Sequence, residues 1–285
     1  MNWYPAPAKV NLFLHVLGRR DDGYHLLQTV FRLIDRADEV GIEARRDGVI
    51  RRIDEAAGVD AQSDLCLRAA RVLRDHAISR TGSESTNLGA DIGLRKNLPI
   101  GGGLGGGSSD AATVLLVLNR DWNLGLRRQE LMDLALGLGA DVPVFVFGRT
   151  ALGEGVGERL QALTMAPAWY LVLVPQVSVS TKEIFSSRAL TRDTKPLKIP
   201  PFLPGLGKND LQPVATALYP EIEAHLEWLS RHGDARMSGS GACVFAQYGT
   251  AEEARAVEAR LPEGMRGFVA RGLDEHPLRN LAAEG

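Results

Sequence analysis

From Ala8 to Val16 apolar and polar positions alternate. Val10, Leu12, Leu14 and Val16 fall on one face, and Lys9, Asn11, Phe13 and His15 on the other. That period of two predicts a strand. A polar connection, Arg19-Arg20-Asp21-Asp22-Gly23, follows, and mixed apolar segments then run through Ile42 and Val49 to Ile53. Asp64 is placed to cap a helix whose apolar stripe is Leu65, Ala69, Val72, Leu73 and Ala77. Ala90, Ile92 and Leu94 alternate as a short strand, and a helix is expected from Ser108 to about Asn119. Another runs from about Arg127 to Leu138 and is stopped by Gly139. Phe145–Phe147, Thr150–Leu152 and Trp169–Val174 read as strands, and Gly153 to Gly157 as a loop. Ser180-Thr181-Lys182-Glu183 fits a capping box. Arg192 to Lys208, rich in proline and basic residues, predicts a mobile surface segment. Helices are expected over roughly Leu211–Ser230 and Ala251–Leu261. Strands are expected at Ala235–Met237, Ala242–Tyr248 and Phe268–Arg271. Strands and helices interleave without regular βαβ units, which predicts a two-lobed α+β protein.

The length of 285 residues exceeds what one core usually holds, so two lobes are expected, 1–161 and 162–285. With 33 Lys+Arg against 35 Asp+Glu the net charge is −2. That balance argues against a nucleic-acid or membrane-surface binder. No apolar run approaches the roughly 18 residues of a spanning helix. Met1-Asn2-Trp3-Tyr4-Pro5 lacks the marks of a signal peptide, so a cytoplasmic location is expected. Cys66 and Cys243 are far apart in sequence and offer neither a disulfide framework nor metal spacing; they predict buried, reduced thiols. The six histidines show no HExxH pattern, so no zinc site built by the protein is expected.

Glycine changes the picture. Of the 31 glycines, six lie within Gly101–Gly107, directly before Ser108-Ser109-Asp110. Such a loop exposes amides and accepts positive φ, so it wraps an anion where side chains would collide. The helix behind it adds unpaired N–H groups and partial positive charge. Six glycines cost backbone entropy that a plain connection would not need to meet. A Walker A loop needs Lys where Ser108 stands, which excludes it. Gly101, Gly103 and Gly106 satisfy G-x-G-x-x-G, but Asp121 follows a helix directly and does not end a second strand, so the dinucleotide pattern fails. No H-R-D, D-F-G or G-x-S-x-G sequence is present, which removes the protein kinases and the nucleophile elbow.

Pro99-Ile100-Gly101-Gly102-Gly103-Leu104-Gly105-Gly106-Gly107-Ser108-Ser109 resembles the ATP loop of the GHMP small-molecule kinases. Pro7-Ala8-Lys9-Val10-Asn11-Leu12 is similar to that superfamily's N-terminal motif, and Ser238-Gly239-Ser240-Gly241-Ala242 to its C-terminal glycine motif. Three further blocks are similar to the branch that phosphorylates the tertiary 2-hydroxyl of a cytidine-diphosphate-linked methylerythritol in non-mevalonate isoprenoid synthesis. They are Gly23-Tyr24-His25 with Gln28-Thr29, Leu138 to Phe145, and Glu154-Gly155-Val156-Gly157-Glu158. Residues 44–62 and 190–208 match no motif.

The resemblance implies a lobe like the second domain of ribosomal protein S5, followed by an α/β-sandwich lobe. It also implies ATP as co-substrate, with Mg²⁺ on its phosphates and Ser109 as a contact. Lys9 and Asp141 would be the catalytic pair. A carboxylate near the alcohol is the expected proton acceptor, and an ammonium beside it would offset charge on the transferring group. On the residues alone, Asp141 before Pro143 is equally a turn or cap residue, and Lys9 a solvated strand-end charge. Asn11 would bond the erythritol portion, with Gly239 and Ser240 near the substrate phosphates. Tyr24 and Phe185 would flank the cytosine, with His25 and Phe31 adding rings and base-edge bonds. The rival readings are another GHMP kinase, of homoserine or mevalonate type, and a non-catalytic binding protein on the same scaffold.

Overall fold

The computed structural model describes residues 1–54, 64–81, 86–198 and 205–284. Its first half comprises β1 (Asn2–Arg19), β2 (His25–Arg45), β3 (Ile50–Arg52), α1 (Leu65–Thr81), β4 (Gly89–Arg95), α2 (Gly106–Asp121), α3 (Arg128–Leu136), α4 (Val142–Phe147), β5 (Ala151–Gly155) and β6 (Arg159–Ala162). The second comprises β7 (Trp169–Leu173), α5 (Thr181–Ser186), α6 (Gln212–Leu218), α7 (Pro220–Ser230), β8 (Arg236–Met237), β9 (Val244–Tyr248), α8 (Ala251–Glu258) and β10 (Gly267–Leu273).

β2 is the hub. It pairs antiparallel with β1, β4, β5 and β10, and through β10 the sheet continues to β7, β9 and β8. Both faces of the β1–β2 ribbon are covered, so every residue from Ala6 to Val16 and from Gln28 to Ile34 is buried. This is why β2 lacks a clean alternation and reads in the sequence only as mixed apolar segments. It also means that the polar face of β1 looks into the protein and not into water. Register shifts between Asn11 and Leu14 and at two other points bend the ribbon.

One apolar cluster lies between the sheet and α1–α4, a second under α5–α7, and a third between β1 and β7–β9. α2 runs through the middle of the first, with every residue from Ser109 to Asn119 buried. Asp64 caps α1 as expected, its Oδ1 accepting from Cys66 N at 2.8 Å. Cys66 and Cys243 are buried and unpaired. Burial pushes the Cys243 thiol up to about 12 and Cys66 well above its ordinary value, which leaves both inert.

β5 runs on to Gly155, into the stretch expected as a loop, and four further expectations need correction. Phe145–Phe147 is not a strand but the end of α4. Pro143 opens this helix and Gly148 ends it in the left-handed region, so terminal signals override the strand preference of Val-Phe-Val-Phe. α2 begins at Gly106, not Ser108, and α3 ends at Leu136, before Gly139. Pro220 divides the expected 211–230 stretch into α6 and α7.

The fourth concerns the Pro-rich segment. Gln28 grips Leu197 by both backbone groups, donating to its oxygen at 3.1 Å and accepting from its nitrogen at 2.7 Å. Thr194 N bonds Val16 O at 3.1 Å, and Leu14 N bonds Lys208 O at 2.9 Å. The described parts of this segment are therefore a strap laid over β1 and β2. Residues 199–204 lie outside the described residues.

Candidate active site

Three cavities follow one another along the face where β1, α2 and the β8–β9 turn meet. The first, about 290 Å³, is lined by the glycine loop with Leu65, Leu94 and Lys96. The second, about 330 Å³, contains Lys9, Asn11, Phe31, Asp141 and Gly239–Gly241. The third, about 690 Å³, holds Tyr24, His25, Phe185 and Arg192. Gly101, Gly103 and Ser108 line both the first and the second, while Leu27, Thr181 and Phe185 line both the second and the third.

The loop is held from two sides. Lys9 N donates to Leu104 O, and Cys243 N to Gly102 O, each at 3.0 Å. Ser238 Oγ donates to Gly103 O at 2.9 Å and accepts from Asn11 N at 3.3 Å. Glycine is obligatory at Gly103, where φ is +74° and a Cβ would lie 2.1 Å from Ser238 O. Gly105 enters α2 in the left-handed region without a side-chain cap, and the helix's own bonding starts with Ser109 N to Gly105 O at 2.9 Å. The amides of Gly106, Gly107 and Ser108 thus remain without intrahelical partners at the positive end of a 16-residue helix. This is an anion cradle made of backbone.

Lys9 is 2% exposed, yet its ammonium is fully engaged. Nζ donates to Asn11 Oδ1 at 2.6 Å and to Gly103 O at 3.0 Å, and stands 3.2 Å from Asp141 Oδ2. It also lies 5.7 Å from the centre of the Phe31 ring. Asn11 is oriented in turn by Thr29: Nδ2 donates to Thr29 Oγ1 at 2.8 Å, and that hydroxyl donates to Phe13 O at 2.5 Å. An ammonium has only donors, so this chain fixes which amide atom faces Lys9. Asp141 stands at the N-cap position of α4 but makes no capping bond. Its side chain is 39% exposed. Beside a cradle for anions, a half-open carboxylate can accept a proton from an alcohol, and the ammonium touching it can offset charge on the group being transferred.

A buried cluster sets the angle at which the chain enters the loop. Lys96 Nζ bridges Asp38 and Asp110, the latter at 2.9 Å, while Asp38 Oδ1 accepts from Asn97 N at 2.6 Å and Leu98 N at 2.8 Å. Burial pushes Asp110 up to about 7, with Asp38 acting in the same direction and Lys96 against it. Because the folded chain then holds a proton that the unfolded chain has lost, this group's contribution to stability falls as pH rises from about 4 to about 7. Asp110→Asn is expected to remove that fall. The Tm difference between variant and parent should move in the variant's favour from pH 5 to pH 8, and a pH-independent difference would contradict it.

Of the residues singled out from the sequence, Lys9, Asn11, Asp141, Gly239 and Ser240 converge on the second cavity. Pro99, Ile100 and the loop through Ser108 line the first. Tyr24, His25 and Phe185 share the third, with the His25 and Phe185 ring centres 5.0 Å apart. Phe31 does not join them: it is 2% exposed, packed in the core beneath Lys9, because β2 turns it inward opposite Asn11. Ser109 is wholly buried and lines none of these cavities, since one step along α2 from Ser108 turns it into the core. Thr29, Ser238, Arg192 and the Asp38–Lys96–Asp110 cluster were not foreseen as site residues. Only Thr29 and Ser238 carried a signal, as parts of recognisable blocks.

Family models described as GHMP kinases N terminal domain and GHMP kinases C terminal match residues 64–149 and 201–267. The chain is 60% identical over 281 residues to the 4-diphosphocytidyl-2-C-methyl-D-erythritol kinase of Thiobacillus denitrificans, covering 99% of each. It is 56% identical to the enzyme of the same name from Nitrosospira multiformis, over 98% of this chain and 94% of that one. A crystal structure of 4-(cytidine 5'-diphospho)-2C-methyl-D-erythritol kinase superimposes with a TM-score of 0.78 at 33% identity, covering 95% of this chain and 99% of the other.

Proposed function

Because the chain belongs to the GHMP kinases, and within them to the 4-diphosphocytidyl-2-C-methyl-D-erythritol kinase family, we propose that it transfers the γ-phosphoryl group of ATP to the 2-hydroxyl of 4-diphosphocytidyl-2-C-methyl-D-erythritol. The observation that carries this reading is the series of three cavities, with the Lys9–Asp141 pair in the middle one. The first takes the nucleoside end of ATP and passes its phosphates over the free amides of the glycine loop. The third takes the cytidine, and its neighbours Arg19 and Lys182 suit a diphosphate-bearing ligand. The reacting alcohol then lies between them. Asp141 accepts its proton, and Lys9 offsets charge on the phosphoryl group in transit. Residues 1–161 supply the loop, Lys9 and Asp141; residues 162–285 supply Phe185, Gly239 and Ser240.

The first cavity is lined by the glycine loop and Ser108 with Asp64 and Asp110, and no cluster of three His, Cys, Asp or Glu converges among the described residues. That fits an ion carried in on the nucleotide's phosphates rather than one held by the chain. Mg²⁺, when bound, neutralises phosphate charge, and Ser108 is the side chain placed to touch its shell. Ser109, buried, is not. No helix of the described residues is long and apolar enough to cross a membrane.

The test is an ATP-coupled assay offering the cytidylated methylerythritol, homoserine and mevalonate in parallel. Turnover is expected with the first alone, and turnover with either of the others in its place would overturn the assignment. In the same assay Tyr24→Ala is expected to raise KM for the cytidylated substrate about 5- to 150-fold, the range of one lost base stack, and to leave KM for ATP unchanged. Equal effects on both would move the base elsewhere.

A further inference from the structure

Arg192 lies in the strap that the sequence marked only as a mobile surface run, yet its guanidinium is the most connected polar group at the third cavity. Nε donates to His25 Nε2 at 3.1 Å. Nη1 donates to Leu190 O at 3.0 Å, and Nη2 to Phe185 O at 3.0 Å and Ser187 O at 2.7 Å. One planar fork thus ties the end of α5, which carries Phe185, to the first residue of β2. Lysine cannot reproduce it, having a single donor atom.

The bond to His25 has a chemical consequence. A guanidinium N–H in a protein is always a donor, so His25 Nε2 must be the acceptor. A histidine accepting at Nε2 is a neutral ring with its proton on Nδ1. Among the described residues nothing bonds Nδ1, and it is not one of the buried atoms left without a partner. The ring itself lines the cavity.

We propose that Arg192 is a positioning residue for pyrimidine recognition: it holds His25 in the Nδ1–H form and so presents a fixed hydrogen-bond donor to the acceptor edge of the base, N3 or O2. This deepens the reading of the third cavity as the cytidine site and rests on it. A free histidine would exchange between two tautomers, only one of which offers a donor at that nitrogen. A protonated ring would lose the Arg192 bond and stand against its charge. Burial first, then Arg192 and Arg19, lower the histidine's affinity for a second proton, which agrees with a neutral ring. The same fork holds Phe185, whose ring lies against His25 at 35° between planes. The donor and the stacking surface therefore move as one unit.

The tests use the full-length enzyme. Nitrogen-15 spectra of its histidine rings, with His25 assigned by substitution, are expected to show the neutral Nδ1–H tautomer, and the Nε2–H form would overturn the proposal. Arg192→Lys is expected to bring in the second tautomer. It should raise KM for the cytidylated substrate about two- to tenfold, the worth of one neutral hydrogen bond, with kcat and KM for ATP unchanged. An unaltered spectrum and KM would overturn it. His25→Asn, whose amide can stand near the place of Nδ1, should retain more affinity than His25→Gln, and in the Asn background Arg192→Lys should lose most of its effect on KM. Additive effects would make Arg192 a support of the strap only. His25→Ala separates the two levels: an unchanged KM would refute the cytidine site itself, whereas a raised KM with an inert Arg192→Lys would refute only the role given to Arg192.

Discussion

Asp141→Asn is expected to lower kcat by about 10²–10⁴, the usual worth of a positioned general base, while the dissociation constant for an ATP analogue stays within about twofold. The substitution is nearly isosteric at a side chain that makes no capping bond and is 39% exposed. It therefore disturbs neither α4 nor the loop. What it removes is the proton acceptor for the alcohol and the counter-ion of Lys9. Single-turnover phosphoryl transfer together with calorimetric binding of the analogue would separate the two quantities. A variant with parental kcat would take Asp141 out of the chemistry and assign the alcohol's proton to solvent.

Lys9→Met is expected to be as damaging, but in two ways at once. A thioether of similar length fills the space yet leaves Asn11 Oδ1 and Gly103 O without the ammonium that both accept from. Gly103 O keeps Ser238 Oγ at 2.9 Å, and the main-chain bonds to Gly102 O and Leu104 O are untouched, so the loop stays tethered. The expected result is a fall in kcat of about 10²–10³, as for removal of one preorganised transition-state donor. A lower Tm should accompany it, because a buried acceptor left unpaired costs about 1–3 kcal/mol. Asn11→Ala offers the comparison: it loosens the rotamer of Lys9 without removing its charge, and kcat should fall less. If Lys9→Met lowered Tm and left kcat intact, the ammonium would be a loop tether and nothing more.

How much of this was legible depended on whether the physics is local. The loop from Gly101 to Gly107 was readable because the demand for backbone without side chains is written in the residues themselves. The cap at Asp64 and the strand through Lys9 were local in the same sense. The long strand β2 was obscured because it is covered on both faces and meets four partners, so its apolar run carries no period. α4 was misread because the apolar, β-branched content of Val-Pro-Val-Phe-Val-Phe outweighed its end signals, Pro143 and Gly148. The expectation that Lys9 and Asp141 form a catalytic pair came from resemblance. Nothing in 131 intervening positions of sequence says that β1 and the start of α4 meet, and only the packing of α2 between them brings them to 3.2 Å. Arg192 was hidden by its surroundings, since a proline-rich, basic stretch looks solvated whether or not a glutamine and a histidine grip it.

The register of β1 on β2 makes the ribbon a ruler. Arg19 lies opposite His25 at one mark and Asn11 opposite Phe31 at another, about 20 Å along the strand at its usual rise. On the proposed reading, phosphoryl acceptor and pyrimidine are read off the same two strands, so neither end of a ligand can be accommodated by shifting the other. On that reading, selection is a selection by span. A polyol without its nucleotide, or one joined through a single phosphate, would reach one mark and miss the other, whatever its affinity for either half.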